Sequence, residues 1–246
     1  MTAKLLRAHG IATPTISYHE HNAARAGPDL LRRLERGDAV ALVSDAGTPL
    51  VSDPGFKLVR EAVARGVHVT AIPGPSAPLA ALVLSGLPSD RFFYVGFLPP
   101  RQAARRAELE RLASIEATLI IFESPRRLAA SLDDMARALG QRDVSVAREL
   151  TKLHEEVRRG ALGDIAAYYK DSAAPKGEVV IVVGPPQRNV AAVPPDEIDD
   201  RLAAAIRSMS VRDAAIMVAE TCGVSRRTAY ARALDLISDR DAKEDG

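Results

Sequence analysis

The chain has 246 residues, 47% hydrophobic and 26% charged, a globular composition with enough apolar material for a sizeable core. Lys and Arg number 33 against 32 Asp and Glu, so a formal charge of +1 excludes a basic coat over the whole protein while leaving room for a local basic patch. A single cysteine, Cys222, excludes an intrachain disulfide framework and a CxxC metal site and suits a reducing, cytoplasmic setting. No run approaches ~18 apolar residues, so no membrane span is expected. The first residues carry no long apolar stretch of a signal peptide. Aromatic residues are only 4% and tryptophan is absent, which argues against a broad stacking platform.

In chain order, residues 39–43 (AVALV) read as a buried strand. Residues 54–65 read as a helix with Phe56, Val59 and Val63 on one recurring face, and 67–72 (VHVTAI) as the next strand. Residues 76–84 form a small-residue helix that Gly86 can stop. This alternation predicts a mostly parallel sheet covered on both faces, with ligands at the carboxyl ends of its strands. After a turn at 96–100 come a helix at 102–112, a strand at 118–122, a helix at 125–139 and a strand at 143–148. A polar segment, a helix near 162–170 and a strand at 178–183 complete a second α/β layer.

Residues 184–196 contain four prolines and read as a linker. Beyond it, 197–208, 211–221 and 225–236 read as three helices, with Ser225 as an N-cap. The last pair, joined by a short glycine-containing turn, has helix-turn-helix spacing. Six arginines (201, 207, 212, 226, 227, 232) face only Asp213 and Glu220 in this stretch, a local charge of +4. The polar residues from 238 onward are expected to fray. The isolated Cys222 reads as packing.

Residues 44–55 (SDAGTPLVSDPG) are the sharpest chemical feature, placed directly after an expected strand. They fit two consecutive turns and a capped helix, or a loop whose glycines allow close approach to a ligand. They match neither a Walker A loop nor GxGxxG. Residues 73–77 (PGPSA) make a second rigid loop at the next strand end, with Ser76 available as a cap. Residues 18–22 (YHEHN) group two histidines, a glutamate and an asparagine, but the HExH spacing is not that of a zincin and lacks further ligands. A polar cleft edge or supporting hydrogen-bond network fits them better. In FESPRR (122–127) and RELTKLHEE (148–156), Arg126, Arg127, Arg148, Lys152 and His154 could meet phosphates, or pair with Glu123, Glu149, Glu155 and Glu156.

Six segments, in the order SDAGTPLVSDPG, PGPSAPLAALVLSGLP, FFYVGFLP, IFESPRR, RELTKLHEE and KGEVVIVV, resemble the bacterial 16S ribosomal RNA cytidine ribose 2′-O-methyltransferases of the tetrapyrrole methylase-like superfamily. The resemblance covers residues 1 to about 234 and includes the small helical domain. It implies an α/β, two-domain tetrapyrrole methylase-like fold (class III methyltransferase), with S-adenosylmethionine in the cleft, usually as a homodimer. Mapped onto this chain, the domains are 1–98, 99–184, a linker at 185–196, a helical domain at 197–237 and a tail at 238–246.

The resemblance carries the donor pocket onto Ser44, Asp45, Ala46, Gly47, Thr48 and Pro49, with Gly74, Ser76 and Ala77 opposite. It implies methyl transfer to a ribose hydroxyl of 16S ribosomal RNA in the small subunit, in the cytoplasm, without a metal. Candidate proton acceptors are Glu155 and His154, with Glu20 and His21 behind them. Candidate RNA contacts are Arg126, Arg148, Lys152, Arg226 and Arg227. A tetrapyrrole or other small-molecule methyltransferase, or a non-catalytic RNA-binding remnant, are the competing readings.

One departure accompanies the resemblance. Members of the family usually begin with a strand and an ATPIGN-like donor loop, followed by an AEDTR-like segment, and residues 1–11 here resemble the helix that follows. The fold is therefore expected to lack its first βα unit, leaving a sheet edge uncovered. A truncated chain, a misplaced start codon and a naturally short homologue all fit.

Overall fold

The computed structural model describes residues 2–45, 47–186 and 193–244, with backbone alone for Glu220 and 238–244. Two compact units result, residues 1–186 and 187–246. The first opens with α1 (Thr2–Ala8), α2 (Ala23–Glu35), α3 (Phe56–Ala64) and α4 (Ala77–Ser85), then β1 (Phe92–Phe97). It continues with α5 (Gln102–Leu112), β2 (Thr118–Glu123), α6 (Leu128–Leu139), β3 (Asp143–Arg148), β4 (Glu156–Ala161), α7 (Leu162–Asp171) and β5 (Val179–Val183).

The five strands form one sheet in the order β1-β2-β5-β3-β4. Only β1 and β2 pair in parallel; β2–β5, β5–β3 and β3–β4 are antiparallel. The period of two sorts the apolar residues between the faces. Leu119, Ile121, Val144, Val146, Val179, Ile181 and Val183 join Leu109, Leu128, Leu132, Met135 and Leu162 in the main core beneath α5, α6 and α7. Ile120, Ala147, Val180 and Val182 point the other way, against Ala81 and Leu82 of α4. Both faces are covered, which explains why β2 and β5 read as continuous apolar runs. Helix α4 stops at Gly86, whose left-handed backbone (φ 74°) makes the expected cap.

The structure corrects several expectations. Residues 39–43 and 67–72 form no strand, and no mostly parallel sheet arises from the first block. A strand needs a hydrogen-bonded neighbour, and neither segment has one; Val43, Val69 and Ile72 remain exposed, Ile72 at 90%. The polar segment after β3 contains β4, an edge strand whose alternation is masked by Arg158 and Arg159. Helix α2 forms despite its internal Gly27–Pro28 pair, because Leu30, Leu31 and partly buried Leu34 pack on Leu58 and Ala62 of α3. The turn expected at 96–100 begins later, since Gly96 and Phe97 still pair with β2.

The second unit contains α8 (Pro195–Ile206), α9 (Val211–Cys222) and α10 (Arg226–Glu244). Ser210 caps α9 by accepting from the Asp213 amide at 3.1 Å, and Gly223 ends it at φ 65°. Ser225 accepts the Thr228 amide at 3.0 Å, as an N-cap for α10. Ile198, Leu202, Ala214, Val218, Cys222 and Ala233 form its core, so Cys222 packs. Helix α10 runs on to Glu244, with no glycine or proline to interrupt it before that point. Residues 187–192 of the expected linker lie outside the described residues.

Candidate functional site

Strands β1, β2 and β3 run in the same direction, so their carboxyl ends lie along one edge of the sheet. The 44–55 loop reaches this region through Ser52, whose hydroxyl lies 2.6 Å from the Tyr94 hydroxyl on β1. Leu50 and Ser52 adopt positive φ of 73° and 58°, a conformation that L side chains rarely hold without a compensating contact. The approach needs Gly96: its φ is 76°, and a Cβ there would stand 3.2 Å from Ser52 Oγ. A register shift between Tyr94 and Gly96 marks a bulge at the same point.

Within the loop, the Ser44 hydroxyl donates to Asp53 Oδ2 at 2.6 Å. Thr48 donates from its hydroxyl to the Pro75 carbonyl at 3.4 Å, joining the two loops that the sequence assigns to one pocket. The Asp45 carboxylate accepts from both the hydroxyl and the amide of Thr2, and these bonds hold its pKa at about 2. Gly47 sits at φ 71° with open space around its α-carbon. Ala46 lies outside the described residues. Ser76 occupies the N-cap position of α4, but its hydroxyl makes no cap bond; Pro78 in the first turn has removed one amide.

The YHEHN segment forms a turn held by Asn22, which donates to the Ser17 carbonyl at 2.7 Å and accepts from the His19 amide at 2.8 Å. The turn faces the Asp53 loop. A cleft of about 600 Å³ is lined by His19, Glu20, His21, Ser52, Asp53, Pro54 and Phe97. A second, of about 310 Å³, shares Glu20, Asp53 and Pro54 and adds Tyr18, Phe56 and Lys57. Burial and the neighbouring Glu61 carboxylate raise the Tyr18 phenol, keeping it neutral. Among the described residues no group of three or more His, Cys, Asp or Glu side chains is placed to hold a metal ion.

Glu155 and His154 sit elsewhere, on the exposed β3–β4 connection, where Glu155 accepts from the Thr151 amide at 2.6 Å. Lys152 there spans Glu149 at 2.8 Å and Glu178 at 3.0 Å. Its hydrogen bonds hold the Glu149 carboxyl below the usual range, and the same carboxylates raise Lys152. Arg148 pairs with Glu156 at 3.0 Å and Arg127 with the buried Glu123 at 3.0 Å. Of the FESPRR and RELTKLHEE arginines and lysine, Arg126 alone is exposed with no ion pair among the described residues. In the second unit Arg201 pairs with Glu197 and Arg232 with Asp199, acids that lie outside the stretch counted as +4. Arg226 and Arg227 are exposed at the start of α10. Sequence reasoning missed Phe97 as a cleft residue; the glycine at 96 before an aromatic at a strand end was the available signal.

Residues 3–166 match the family described as tetrapyrrole (corrin/porphyrin) methylases, and residues 192–237 match the RsmI C-terminal HTH domain. The ribosomal RNA small subunit methyltransferase I of Mesorhizobium japonicum is 49% identical over 243 residues, spanning 98% of this chain and 82% of that protein. The protein of the same name from Synechocystis is 41% identical over 247 residues, spanning 97% and 86%. Among solved structures, a diphthine synthase aligns with a TM-score of 0.54 at 17% identity, covering 72% of this chain and 71% of that one. The methyltransferase CobJ aligns with a TM-score of 0.50 at 20% identity, covering 70% and 74%. These likenesses give the family's two-domain α/β fold, although the paired sheet described here is confined to residues 92–183. The chain belongs to the ribosomal RNA small subunit methyltransferase I family of S-adenosylmethionine-dependent, tetrapyrrole methylase-like enzymes.

Proposed function

We propose that this protein methylates the ribose 2′-hydroxyl of a cytidine in the 16S RNA of the small ribosomal subunit, in the cytoplasm and as a homodimer. The observation that carries the reading is that one loop borders two walls. Through Thr48 the 44–55 loop meets the Pro75 turn, and through Asp53 it meets the YHEHN turn. Donor and acceptor would then lie on either side of a single loop.

The residues fit S-adenosylmethionine. That donor has no phosphate, and the loops offer backbone groups and an ionised Asp45 rather than a lysine cradle. Bound there, it supplies a methyl group activated by its sulfonium. Ser44, Asp45, Ala46, Gly47, Thr48 and Pro49 would hold it on one side and Gly74, Ser76 and Ala77 on the other. The chain's own part is to place the ribose oxygen in line and to exclude water, which lowers the barrier by positioning. Glu20 and His21 line the cleft and are the first candidates to take the hydroxyl proton. Glu155 and His154 would act only if RNA bridges to the β3–β4 connection. Arg126, Arg226 and Arg227 would meet phosphates, while Arg148 and Lys152, through their ion pairs, would shape the loop beside them. The homodimer reading draws support from the exposed apolar side chains Ile72, Leu79, Val83 and Phe92.

The test is Gly47→Val, which puts a β-branched side chain at φ 71°. Calorimetric titration should show S-adenosylmethionine affinity falling by roughly tenfold or more in a variant that still unfolds cooperatively. Equal affinity in variant and parent rejects the donor-loop assignment. Small ribosomal subunits incubated with the parent and read by mass spectrometry should gain a cytidine ribose methyl. A parent that adds none rejects the activity.

A further inference from the structure

The 600 Å³ cleft lies within the size range of small-ligand sites, and its walls are an aromatic ring and a fixed carboxylate. Phe97 closes β1 with 58% of its surface exposed, unusual for a phenylalanine inside a paired strand. Its inner side rests on Phe122, ring centroids 5.4 Å apart. Phe122 in turn meets Tyr94 edge-on at 5.6 Å, and the Tyr94 hydroxyl holds Ser52, the residue before Asp53. Asp53 is then fixed from its other side by Ser44. An unbroken chain of contacts thus sets the exposed ring and the carboxylate relative to each other. Positive φ at Ser52 and the Gly96 bulge are the local distortions that this arrangement requires.

Asp53 accepts only one hydrogen bond among the described residues, at Oδ2. Its Oδ1 is an acceptor held in place with capacity left. A flat ring beside a fixed acceptor matches an unstacked nucleobase that carries an exocyclic amine. Cytosine offers N4–H₂ at that position, whereas uracil offers O4, whose lone pairs would face the carboxylate. We infer that this cleft is the base-reading subsite, with Phe97 stacking the target base and Asp53 selecting cytosine over uracil through the N4 amine. The inference rests on the functional reading above and adds to it the residues that choose the base. One ring suffices for one base, which agrees with a chain of only 4% aromatic residues.

The experiment uses the full chain and two fluorescent RNA decamers, oligocytidylate and oligouridylate, with binding read by anisotropy. The parent should favour oligocytidylate by about tenfold, within the range of a single carboxylate–amine readout. Asp53→Asn keeps the shape and the Ser44 bond but can turn an amide donor toward O4, so it should erase that preference or reverse it. Phe97→Ala, at an exposed position that tolerates truncation, should weaken both oligonucleotides by about tenfold and keep their ratio. A parent that binds both equally, an Asp53→Asn variant that keeps the parental ratio, or an unchanged affinity in Phe97→Ala overturns the subsite. Methylation of small ribosomal subunits by the same parent preparation reports on the functional reading alone. Methylation with no base preference in the cleft leaves the activity standing and rejects the subsite, whereas preference without methylation does the reverse.

Discussion

Residues 2–75 and residues 77–183 both carry short apolar runs between helical stretches, and these runs meet opposite fates in the structure. The second stretch builds a sheet with both faces covered, and Leu119, Ile121, Leu128, Leu132 and Ile181 are wholly buried. The first stretch holds only a small core of Leu30, Leu31, Leu58 and Ala62, while Val43, Val69 and Ile72 face solvent. The runs AVALV and VVIVV look equally strand-like, yet only the second has neighbours on both edges, β2 and β3. An apolar run is a request for partners, and the request is met by other strands, not by the run itself.

The comparison should be sharpest at Asp134. This carboxylate on α6 is fully buried and pairs with Arg105 and with Arg106 at 2.7 Å, both on α5. Burial pushes its pKa up, but the hydrogen bonds from Arg106 and Arg105 outweigh that and leave it below the ordinary carboxylate range. Asp134→Ala leaves Arg105, itself buried, without its counter-charge, which should cost about 3–5 kcal/mol in urea unfolding. The sign of the pH effect follows from the lowered folded pKa. The contribution is complete above the unfolded value of about 3.9 and is lost as pH falls through the folded one. Parental stability should therefore drop below about pH 4, and the variant should lose less over the same window. A parallel acid profile in both proteins would show that other carboxylates govern that limb.

A smaller contrast separates two isoleucines. Ile181→Ala empties space at the centre of the sheet, between β2 and β3, and should cost about 2–5 kcal/mol. Ile72→Ala trims a side chain that is 90% exposed and should change stability by no more than about 0.5 kcal/mol. Chemical denaturation of both variants measures the difference. An Ile72 effect as large as that of Ile181 would mean that residue 72 is covered in solution by another chain, as the homodimer reading allows.

The same contrast governs what was legible in the sequence. Helix α5 and strand β3 fall where their periodicity puts them, because both find partners close by in the chain. Strand β4 was hidden because Arg158 and Arg159 occupy an edge, where polar residues are tolerated, and α2 was hidden by Gly27–Pro28. At the candidate site, the loop 44–55 and the YHEHN turn were visible as chemistry, but their adjacency was not. It depends on Ser52 reaching Tyr94 across 42 positions of sequence and on Gly96 leaving room for it. The fate of the charges was equally hidden, since Lys152 takes its second partner, Glu178, from another loop.

The helical unit carries the smallest expected effect and separates two kinds of arginine. Arg232 holds Asp199 at 2.7 Å and Arg201 holds Glu197 at 2.6 Å, so these cations stabilise the unit they sit in. The hydrogen bond from Arg232 keeps the Asp199 carboxyl below its ordinary range, as expected of a pair that persists. Arg226 and Arg227 lie exposed at the opening of α10, the second helix of the helix-turn-helix arrangement, just after the Ser225 cap. Replacing both with alanine should leave urea stability within about 0.5 kcal/mol, since no core side chain is touched. Binding to 16S RNA should weaken, and the slope of log affinity against log salt should flatten by roughly 0.7 to 0.9 for each phosphate no longer neutralised. S-adenosylmethionine affinity should not move. Arg232→Ala provides the opposing case: it should lower stability slightly, as loss of a partly exposed pair does, and leave the salt slope alone. An unaltered slope in the Arg226/Arg227 double variant would assign these residues to the helix start and place the RNA phosphates elsewhere. A slope that flattens instead in Arg232→Ala would show that the ion pair opens to receive RNA, which reverses the division between the two kinds.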